Sequence, residues 1–185
     1  MMKRIFPNIK LIENKENFGF PKGNNIGVKE AKGEYLCILN PDTVVAEDTF
    51  EKILAFAKNK NDLGIVGCKL IDGKGQFLPE SKRGIPTPWV SFTKIFSLYK
   101  LFPKSSLFNK YYAQHIVTNQ TGKVEILVGA FMILKLELYN EIGGFDENCF
   151  MYSDDIDLSY MVLQKGKSNY YFHDTTIIHY KGEST

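Results

Sequence analysis

The sequence predicts one α/β domain over residues 1–185, and three observations support that fold class. Apolar runs of strand length alternate along the chain with segments whose apolar residues recur at helical spacing. Alternation of strand and helix is typical of an α/β sheet. The hydrophobic content of 44% over 185 residues is enough to bury one core.

Apolar and β-branched runs predict the strands. The segment Glu34–Leu39 is nearly continuous in apolar residues, which favours a strand covered on both faces, as in a parallel sheet. The other predicted strands are Ile9–Glu13, Leu63–Ile71, Val124–Leu134, Asn169–Phe172 and Thr175–Ile178.

Helical spacing and end signals predict the helices. Asn24 or Asn25 is expected to cap a short helix that ends at Gly33. Residues 47–59 form an amphipathic pattern with four apolar side chains on one face, namely Phe50, Ile53, Leu54 and Ala57. Two further helices are predicted at Leu136–Ile142 and Asp155–Gln164.

Residues 79–120 interrupt this pattern with four prolines. Within them, Trp89–Phe102 is rich in aromatic and aliphatic side chains, and Lys94 and Lys100 are its charged residues. One interpretation is an insertion that contacts a membrane surface or the acceptor of a reaction. The other is a loop that folds over the core, which the shortness and mild basicity of the stretch favour.

The composition excludes general nucleic-acid binding, because 23 Lys and Arg are balanced by 21 Asp and Glu without a long run of one sign. The first residues lack a signal-peptide pattern, and no apolar run approaches the ~18–20 residues of a membrane span. We therefore expect a cytoplasmic protein, or one at the inner face of the membrane. Cys37, Cys68 and Cys149 are expected to be buried reduced thiols.

The segment Asn40-Pro41-Asp42 directly follows an apolar strand. Ligands of open α/β sheets bind outside the carboxyl ends of strands, where a carboxylate can hold a divalent cation and, through it, a diphosphate. An ordinary turn is the alternative interpretation.

The segment Asp154-Asp155-Ile156-Asp157 places three carboxylates at a predicted helix start. Helix capping explains one acid there, and the helix dipole favours the others. Crowding raises carboxylate pKa values, which suits a general base. His179 follows a short apolar strand, and for this residue a structural role and a role in a site both remain open.

Taken in order, these motifs resemble bacterial family 2 glycosyltransferases, especially the rhamnosyltransferase-like branch. In the first half the similar motifs are Asn17-Phe18-Gly19-Phe20, Gly23-Asn24-Asn25, Gly33-Glu34-Tyr35 and Leu39-Asn40-Pro41-Asp42. In the second half they are Val128-Gly129-Ala130-Phe131-Met132, Gly143-Gly144-Phe145-Asp146-Glu147, Phe150-Met151-Tyr152-Ser153-Asp154-Asp155 and His179-x-x-Gly182-x-Ser184.

The resemblance implies a GT-A fold with a mixed central sheet flanked by helices, and inverting transfer from a nucleotide-diphospho-sugar to a glycan or lipid-linked acceptor. It implies Mg²⁺ or Mn²⁺ held by Asp42 and His179, with Asn40 in place of the first acid of the family's metal motif. Asp155 would be the general base, with Asp154 beside it. The donor-binding set would be Asn40, Asp42, Asn24, Gly129 and Ala130.

The resemblance begins at the family's third strand, Ile9–Glu13, so the first family strands, which hold the nucleotide base, are expected to be missing. Unpaired strand edges would then favour a homo-oligomer. The leading hypothesis is an active sugar transferase, and its rival is a non-catalytic module that folds and associates. A nucleotidyltransferase is disfavoured, because only the modest Gly-rich loop 19–27 is available for phosphate binding.

Overall fold

The computed structural model describes residues 2–96, 118–148 and 153–180. The helices in these ranges are α1 Met2–Ile5, α2 Gly19–Val28, α3 Thr49–Lys58, α4 Pro88–Ile95, α5 Leu136–Glu141 and α6 Asp154–Gln164, and a 3₁₀ turn covers Pro79–Ser81. The strands are β1 Tyr35–Leu39, β2 Thr43–Val45, β3 Leu63–Ile71, β4 Gly122–Val124, β5 Phe131–Lys135 and β6 Ser168–His179.

The described strands form one mixed sheet in the order β1-β5-β3-β6-β2, and β4 pairs with β6 beside that path. Strands β3 and β6 are parallel, while β5 is antiparallel to both β1 and β3. The carboxyl ends of β1, β3 and β6 therefore lie at the same edge as the amino ends of β5 and β2. We call this the C-terminal edge of the sheet.

The three residues 40–42 join the two outermost strands of this order, β1 and β2. In a flat sheet, four strand spacings of ~4.8 Å would separate these strands by ~19 Å. Four Cα–Cα steps of ~3.8 Å reach at most ~15 Å. The sheet must therefore curl, which brings the end of β1 and the start of β2 together at the C-terminal edge.

Helices cover both faces of the sheet, and alternate residues of the strands divide between two buried clusters. On one side Ile38, Ile65 and Met132 pack with residues of α2, α5 and α6. On the other side Val66 and Ile133 pack with residues of α3. Helix α3 buries Ile53 and Ala57 of the predicted apolar face. Of the described helices, none is long and apolar enough to cross a membrane.

The predicted strand Ile9–Glu13 is wrong, because this segment is neither helix nor strand. Its apolar side chains are exposed, with Ile9 at 56%. Within the described ranges no strand lies beside it, and an extended segment without a pairing partner is not stable as a strand. An ion pair between Lys10 and Glu30 links the segment to the chain after α2.

The predicted cap at Asn24 or Asn25 is also wrong, because both residues lie inside α2. The helix starts earlier, at Gly19, whose N–H donates to Oδ1 of Asn17 at 2.9 Å. Asn24 Nδ2 instead donates to the carbonyl oxygen of Phe20 at 2.8 Å. The side chains of these asparagines make bonds within and beyond the helix, so they do not end it.

Strand β1 confirms the strand predicted at residues 34–39. The prediction that this strand is covered on both faces is wrong. Strand β1 pairs antiparallel with β5 and lies at the end of the strand order, so Cys37 and Leu39 are exposed. The expectation of a buried thiol therefore holds for Cys68 and is wrong for Cys37. Cys149 lies outside the described residues.

The predicted strand Val124–Leu134 is two strands, because β4 pairs with β6 whereas β5 pairs between β1 and β3. Conversely, the two predicted strands of the last segment are one strand, β6. Its register against β3 jumps between Phe172 and Thr176, so the interruption in the sequence pattern corresponds to a bulge. In the 79–120 insertion, α4 is helical, and residues 97–117 lie outside the described residues.

Candidate active site

Asp42 and His179 meet at the C-terminal edge because β2 pairs antiparallel with the end of β6, with Thr43 opposite His179. The backbone N–H of Tyr180 donates to the main-chain carbonyl oxygen of Asp42 at 2.9 Å, which fixes the backbone of Asp42 beside the strand end. His179 Nε2 lies 3.3 Å from Asp42 Oδ1, and the side chains are 10% and 6% exposed. Two buried groups able to bind a cation thus face each other.

Asn40 lies between this pair and β5. Its backbone N–H donates to the carbonyl oxygen of Ala130 at 3.0 Å, and its carbonyl oxygen accepts from Thr43 Oγ1 at 2.7 Å. The backbone around Asn40 is therefore held on both sides. Its buried Oδ1 has no hydrogen-bond partner among the described residues.

Asp155 is the second residue of α6, and its side chain is buried. Its Oδ2 accepts the N–H of Gly129 at 3.3 Å and forms an ion pair with Nη2 of Arg83. Burial raises the pKa of the Asp155 carboxyl, Arg83 opposes this by lowering it, and Asp154 raises it further. The carboxylate bonds outside its own helix, so the capping interpretation is wrong for Asp155.

The loop before β5 connects these two groups. The N–H of Gly129 contacts Asp155, while the carbonyl of Ala130 holds Asn40. A Cβ on Gly129 would lie 3.5 Å from the ring of Phe20 and 3.6 Å from Cβ of Asp155, which are ordinary van der Waals distances, so both side chains lie close to this glycine. Ala130 itself is buried in the core, and its backbone is the part that reaches the site.

The other predicted residues are less closely connected to these groups. Asp154 is half-buried at the first position of α6 and acts on Asp155 through its charge. Asn24 bonds to Phe20 of its own helix, and within the described part of the chain it makes no hydrogen bond to the other predicted residues.

The neighbouring Asn25 has a structural role that the sequence did not reveal. Its Oδ1 accepts from the hydroxyl of Tyr139 at 2.5 Å and from the N–H of Phe145 at 3.1 Å. Its Nδ2 donates to the carbonyl of Phe145 at 2.9 Å. These bonds hold α2 against the Gly143-Gly144-Phe145 turn.

Two further residues of this region were not predicted. Arg83 lies 72 positions before Asp155 in the sequence, and its guanidinium is the positive charge that pairs with the Asp155 carboxylate. Asn169, fully buried on β6, bonds to the N–H of Ile65 at 3.0 Å and to the carbonyls of Glu125 and Ser159 at 2.8 and 3.0 Å. No local spacing rule links residues so far apart, so only the fold could identify them.

The groups at this edge suit a polar ligand. Asn40 Oδ1, Asp155 Oδ1 and His179 Nδ1 are buried and have no hydrogen-bond partner within the ranges that the structure describes. Buried polar atoms are usually bonded, so such atoms indicate that a bound group would supply the partner. In those same ranges no group of three or more His, Cys, Asp or Glu side chains could hold a metal. A divalent cation here would need oxygen ligands from a substrate beside Asp42 and His179.

Several proteins are similar to this chain. It is 22% identical over 97% of its length to an N-acetylglucosaminyl-diphospho-decaprenol L-rhamnosyltransferase of Mycobacterium tuberculosis, and spans 61% of that protein. It is 26% identical over 88% of its length to the rhamnosyltransferase WbbL of Escherichia coli, again spanning 61%. It is 27% identical over 90% of its length to the O-antigen biosynthesis protein RfbC of Myxococcus xanthus, spanning 12%.

Solved structures show the same fold. The structure of GalNAc-T7 with UDP, GalNAc and Mn²⁺ matches 97% of this chain and 34% of its own, at 17% identity and a TM-score of 0.66. The mannosyltransferase PcManGT of Pyrobaculum calidifontis with GDP-Man and Mn²⁺ matches 98% of this chain and 42% of its own, at 17% identity and a TM-score of 0.63. The predicted GT-A fold is thereby confirmed.

The model of one protein family, described as glycosyltransferase like family 2, matches residues 1–185. This match confirms the family to which the sequence motifs pointed. The chain therefore belongs to glycosyltransferase-like family 2.

Proposed function

We propose that this chain carries the diphosphate-binding and acceptor-activating part of a sugar-transfer site. The reaction would move a sugar from a nucleotide-diphospho-sugar to a hydroxyl of a glycan or lipid-linked acceptor, with inversion at the anomeric carbon. The observation that carries the proposal is the group of buried, unpartnered atoms Asn40 Oδ1, Asp155 Oδ1 and His179 Nδ1 at one edge of the sheet. A family 2 chain with such an edge favours this assignment over a purely structural one.

Asp155 is proposed as the general base. In the transfer, the acceptor oxygen forms a bond to the anomeric carbon, the bond from that carbon to the diphosphate oxygen breaks, and the hydroxyl proton passes to the carboxylate. An alcohol is a poor nucleophile until a base takes this proton. The raised pKa of Asp155 brings the carboxylate closer to the working pH of a base than an ordinary aspartate. No enzyme nucleophile is needed for direct displacement.

Asp42 and His179 are proposed to hold Mg²⁺ or Mn²⁺ together with the donor diphosphate, and Asn40 would bond to the same group. When bound, the cation would neutralise charge on the departing diphosphate. Mg²⁺ is commonly held by one or two carboxylates plus substrate phosphates, so a small set of protein ligands is adequate. Both solved neighbours named above contain Mn²⁺.

For the donor we propose a nucleotide-activated rhamnose, because two of the relatives are named rhamnosyltransferases. For the acceptor we propose a lipid-linked glycan, because one of them is named for a diphospho-decaprenol substrate. The test is transfer or hydrolysis with a panel of UDP-, GDP- and dTDP-sugars and Mn²⁺. We expect turnover that needs the metal and is lost in Asp155→Asn. A chain that neither turns over nor binds any nucleotide of the panel, with Mn²⁺ or without it, would contradict the proposal.

A second candidate is association without catalysis, and the edge of β1 favours it. Of the described residues, only those of β5 pair with β1, and the exposed Leu39 lies on this strand. An open strand edge is a template for another chain, so we propose a homo-oligomer. Light scattering at micromolar concentration tests it, and a stable monomer would contradict it.

Peripheral contact with the inner face of a membrane is proposed from α4. The ring centroids of Trp89 and Phe92 are 5.8 Å apart in a stacked arrangement, and those of Phe92 and Phe96 are 4.6 Å apart. All three side chains are exposed. Trp89 and Phe92 lie on α4 and Phe96 directly follows it, and aromatic side chains at a short helix are suited to the membrane interface. Sedimentation with anionic vesicles should fall when Phe92 and Phe96 are both changed to Ser, whereas equal sedimentation of the two proteins would count against this contact.

A further inference from the structure

We propose that Arg83 is a positioning residue for Asp155: its guanidinium holds Oδ2 of the carboxylate, so that Oδ1 remains open for the proton of the acceptor. This inference deepens the proposed function and rests on it for its kinetic readout. Its structural basis is the different occupation of the two carboxylate oxygens.

Hydrogen bonds hold the backbone of Arg83 in place beside the site. Its N–H and carbonyl exchange two hydrogen bonds with Ile126, each 2.9 Å long. Two residues on, the N–H of Ile85 donates to Oε2 of Glu125 at 2.7 Å. The segment that carries Arg83 is thus paired with the chain before β5, on which Gly129 also lies. The guanidinium is therefore carried by a backbone that is held in position.

The contact itself is part-buried and involves only one of the two carboxylate oxygens. The Arg83 and Asp155 side chains are 14% and 12% exposed, and Nη2 pairs with Oδ2. Gly129 donates to the same oxygen at 3.3 Å. Oδ1 is also buried but has no partner within the described ranges. Two donors on one oxygen fix the plane of the carboxylate and leave the other oxygen for a ligand.

The charges around Asp155 also affect its pKa. Arg83 faces it from the segment after the 3₁₀ turn, the N–H of Gly129 from the loop before β5, and Asp154 from its own helix. Phe20 of α2 adds an apolar ring beside Gly129. Burial and Asp154 favour the neutral acid, whereas Arg83 and Gly129 favour the carboxylate. Arg83 thus keeps a buried base ionised.

The first test is the pH dependence of kcat/KM in Arg83→Gln and Arg83→Lys. Removing the cation should move the acid limb of the Arg83→Gln profile up by about one to three pH units, the usual effect of a neighbouring opposite charge. Below the new limb, activity should fall roughly tenfold per pH unit. Arg83→Lys should restore the limb but not the full kcat, because an ammonium lacks the planar fork of a guanidinium.

Lys165→Gln is the matched control, because Lys165 also pairs with an acid, Glu141 at 2.9 Å, but at the exposed end of α6. Its profile should equal that of the unchanged chain. A merely structural role for Arg83 would lower kcat in Arg83→Gln without moving the acid limb, and that result would overturn the proposal.

The second test does not require turnover. In protein labelled with ¹³C at aspartate carboxyls, the Asp155 signal is assigned by its loss in Asp155→Asn, and its pKa should rise in Arg83→Gln. In the unchanged chain, the side-chain ¹⁵N shifts of Arg83 should follow the same titration, which covers the case in which the variant does not fold. Independent titration of the two groups would overturn the proposal. If they titrate together but no donor is turned over, the ion pair stands and the proposed function is what fails.

Discussion

The C-terminal edge of the sheet holds two buried carboxylates in different surroundings. Asp155 already has a protein cation, Arg83, and a backbone donor on one of its oxygens. Asp42 instead faces an imidazole, His179 Nε2, at 3.3 Å. The first arrangement holds the carboxylate that we propose as the proton acceptor. The second leaves a carboxylate and a nitrogen base together, which suits a cation brought by a ligand. Electrostatic surroundings, rather than residue type, thus separate the two proposed roles.

The sharpest way to separate the two carboxylates is Asp155→Asn. The amide keeps the shape but cannot take a proton, so kcat should fall by roughly 10²–10⁴-fold. The affinity for nucleotide with Mn²⁺, measured by calorimetry, should stay within a factor of about two, since Asp155 is not among the proposed metal and diphosphate ligands. An equal loss of binding and of kcat would mean that the two carboxylates do not have separate roles.

The scaffold under Asp155 is the next target. Asn169→Leu removes three hydrogen bonds, two of them fully buried, that join β6 to β3, to α6 and to Glu125 after β4, so we expect the free energy of unfolding to fall by about 3 kcal/mol. Urea unfolding followed by circular dichroism measures it. Asn59→Ala is the control, because Asn59 is exposed, follows α3 and bonds to Ala55 of that helix, and it should change stability by about 0.5 kcal/mol or less. Equal losses in the two variants would contradict a special role for Asn169.

Asp42→Asn should weaken Mn²⁺-dependent nucleotide binding by at least about tenfold, because it removes the charge of the carboxylate that we propose as a metal ligand. His179→Ala should weaken it in the same direction. With EDTA present the unchanged chain and both variants should bind alike. A difference that persists without metal would show that these residues contact the nucleotide by another route.

The smallest expected effect is the dependence of stability on pH. The pKa of Asp155 is raised in the folded state, so protonation favours folding. Its contribution to stability is fully present below the unfolded pKa and is lost as pH rises through the folded pKa. The unfolding free energy of the unchanged chain relative to Asp155→Asn should therefore decline across that window, by at most ~1.4 kcal/mol per pH unit. Urea titrations in acetate and phosphate buffers measure the slope, and a slope of opposite sign would contradict the raised pKa.

The sequence correctly predicted those elements that have the same burial and the same neighbours along their whole length. The strand Leu63–Ile71 was predicted with its observed bounds, because it is buried along nearly its whole length. The predictions failed where pairing changes along the chain, as in residues 124–134, or where no described strand lies alongside, as in Ile9–Glu13. A run of apolar residues does not record which strand lies beside it.

The same distinction applies to the candidate site. The motifs of the sequence were enough to identify the family, and they singled out Asn40, Asp42, Asp155 and His179. Their separate roles in chemistry stay proposals.

By itself, the sequence determined the fold class and the residue types available at the ends of the strands. Only the tertiary structure decided which charges meet. Arg83 reaches Asp155 across 72 positions, and Asp42 meets His179 because β2 returns to pair with the end of β6. Such contacts depend on strand order and on the curl of the sheet, which are long-range properties that local pattern does not encode.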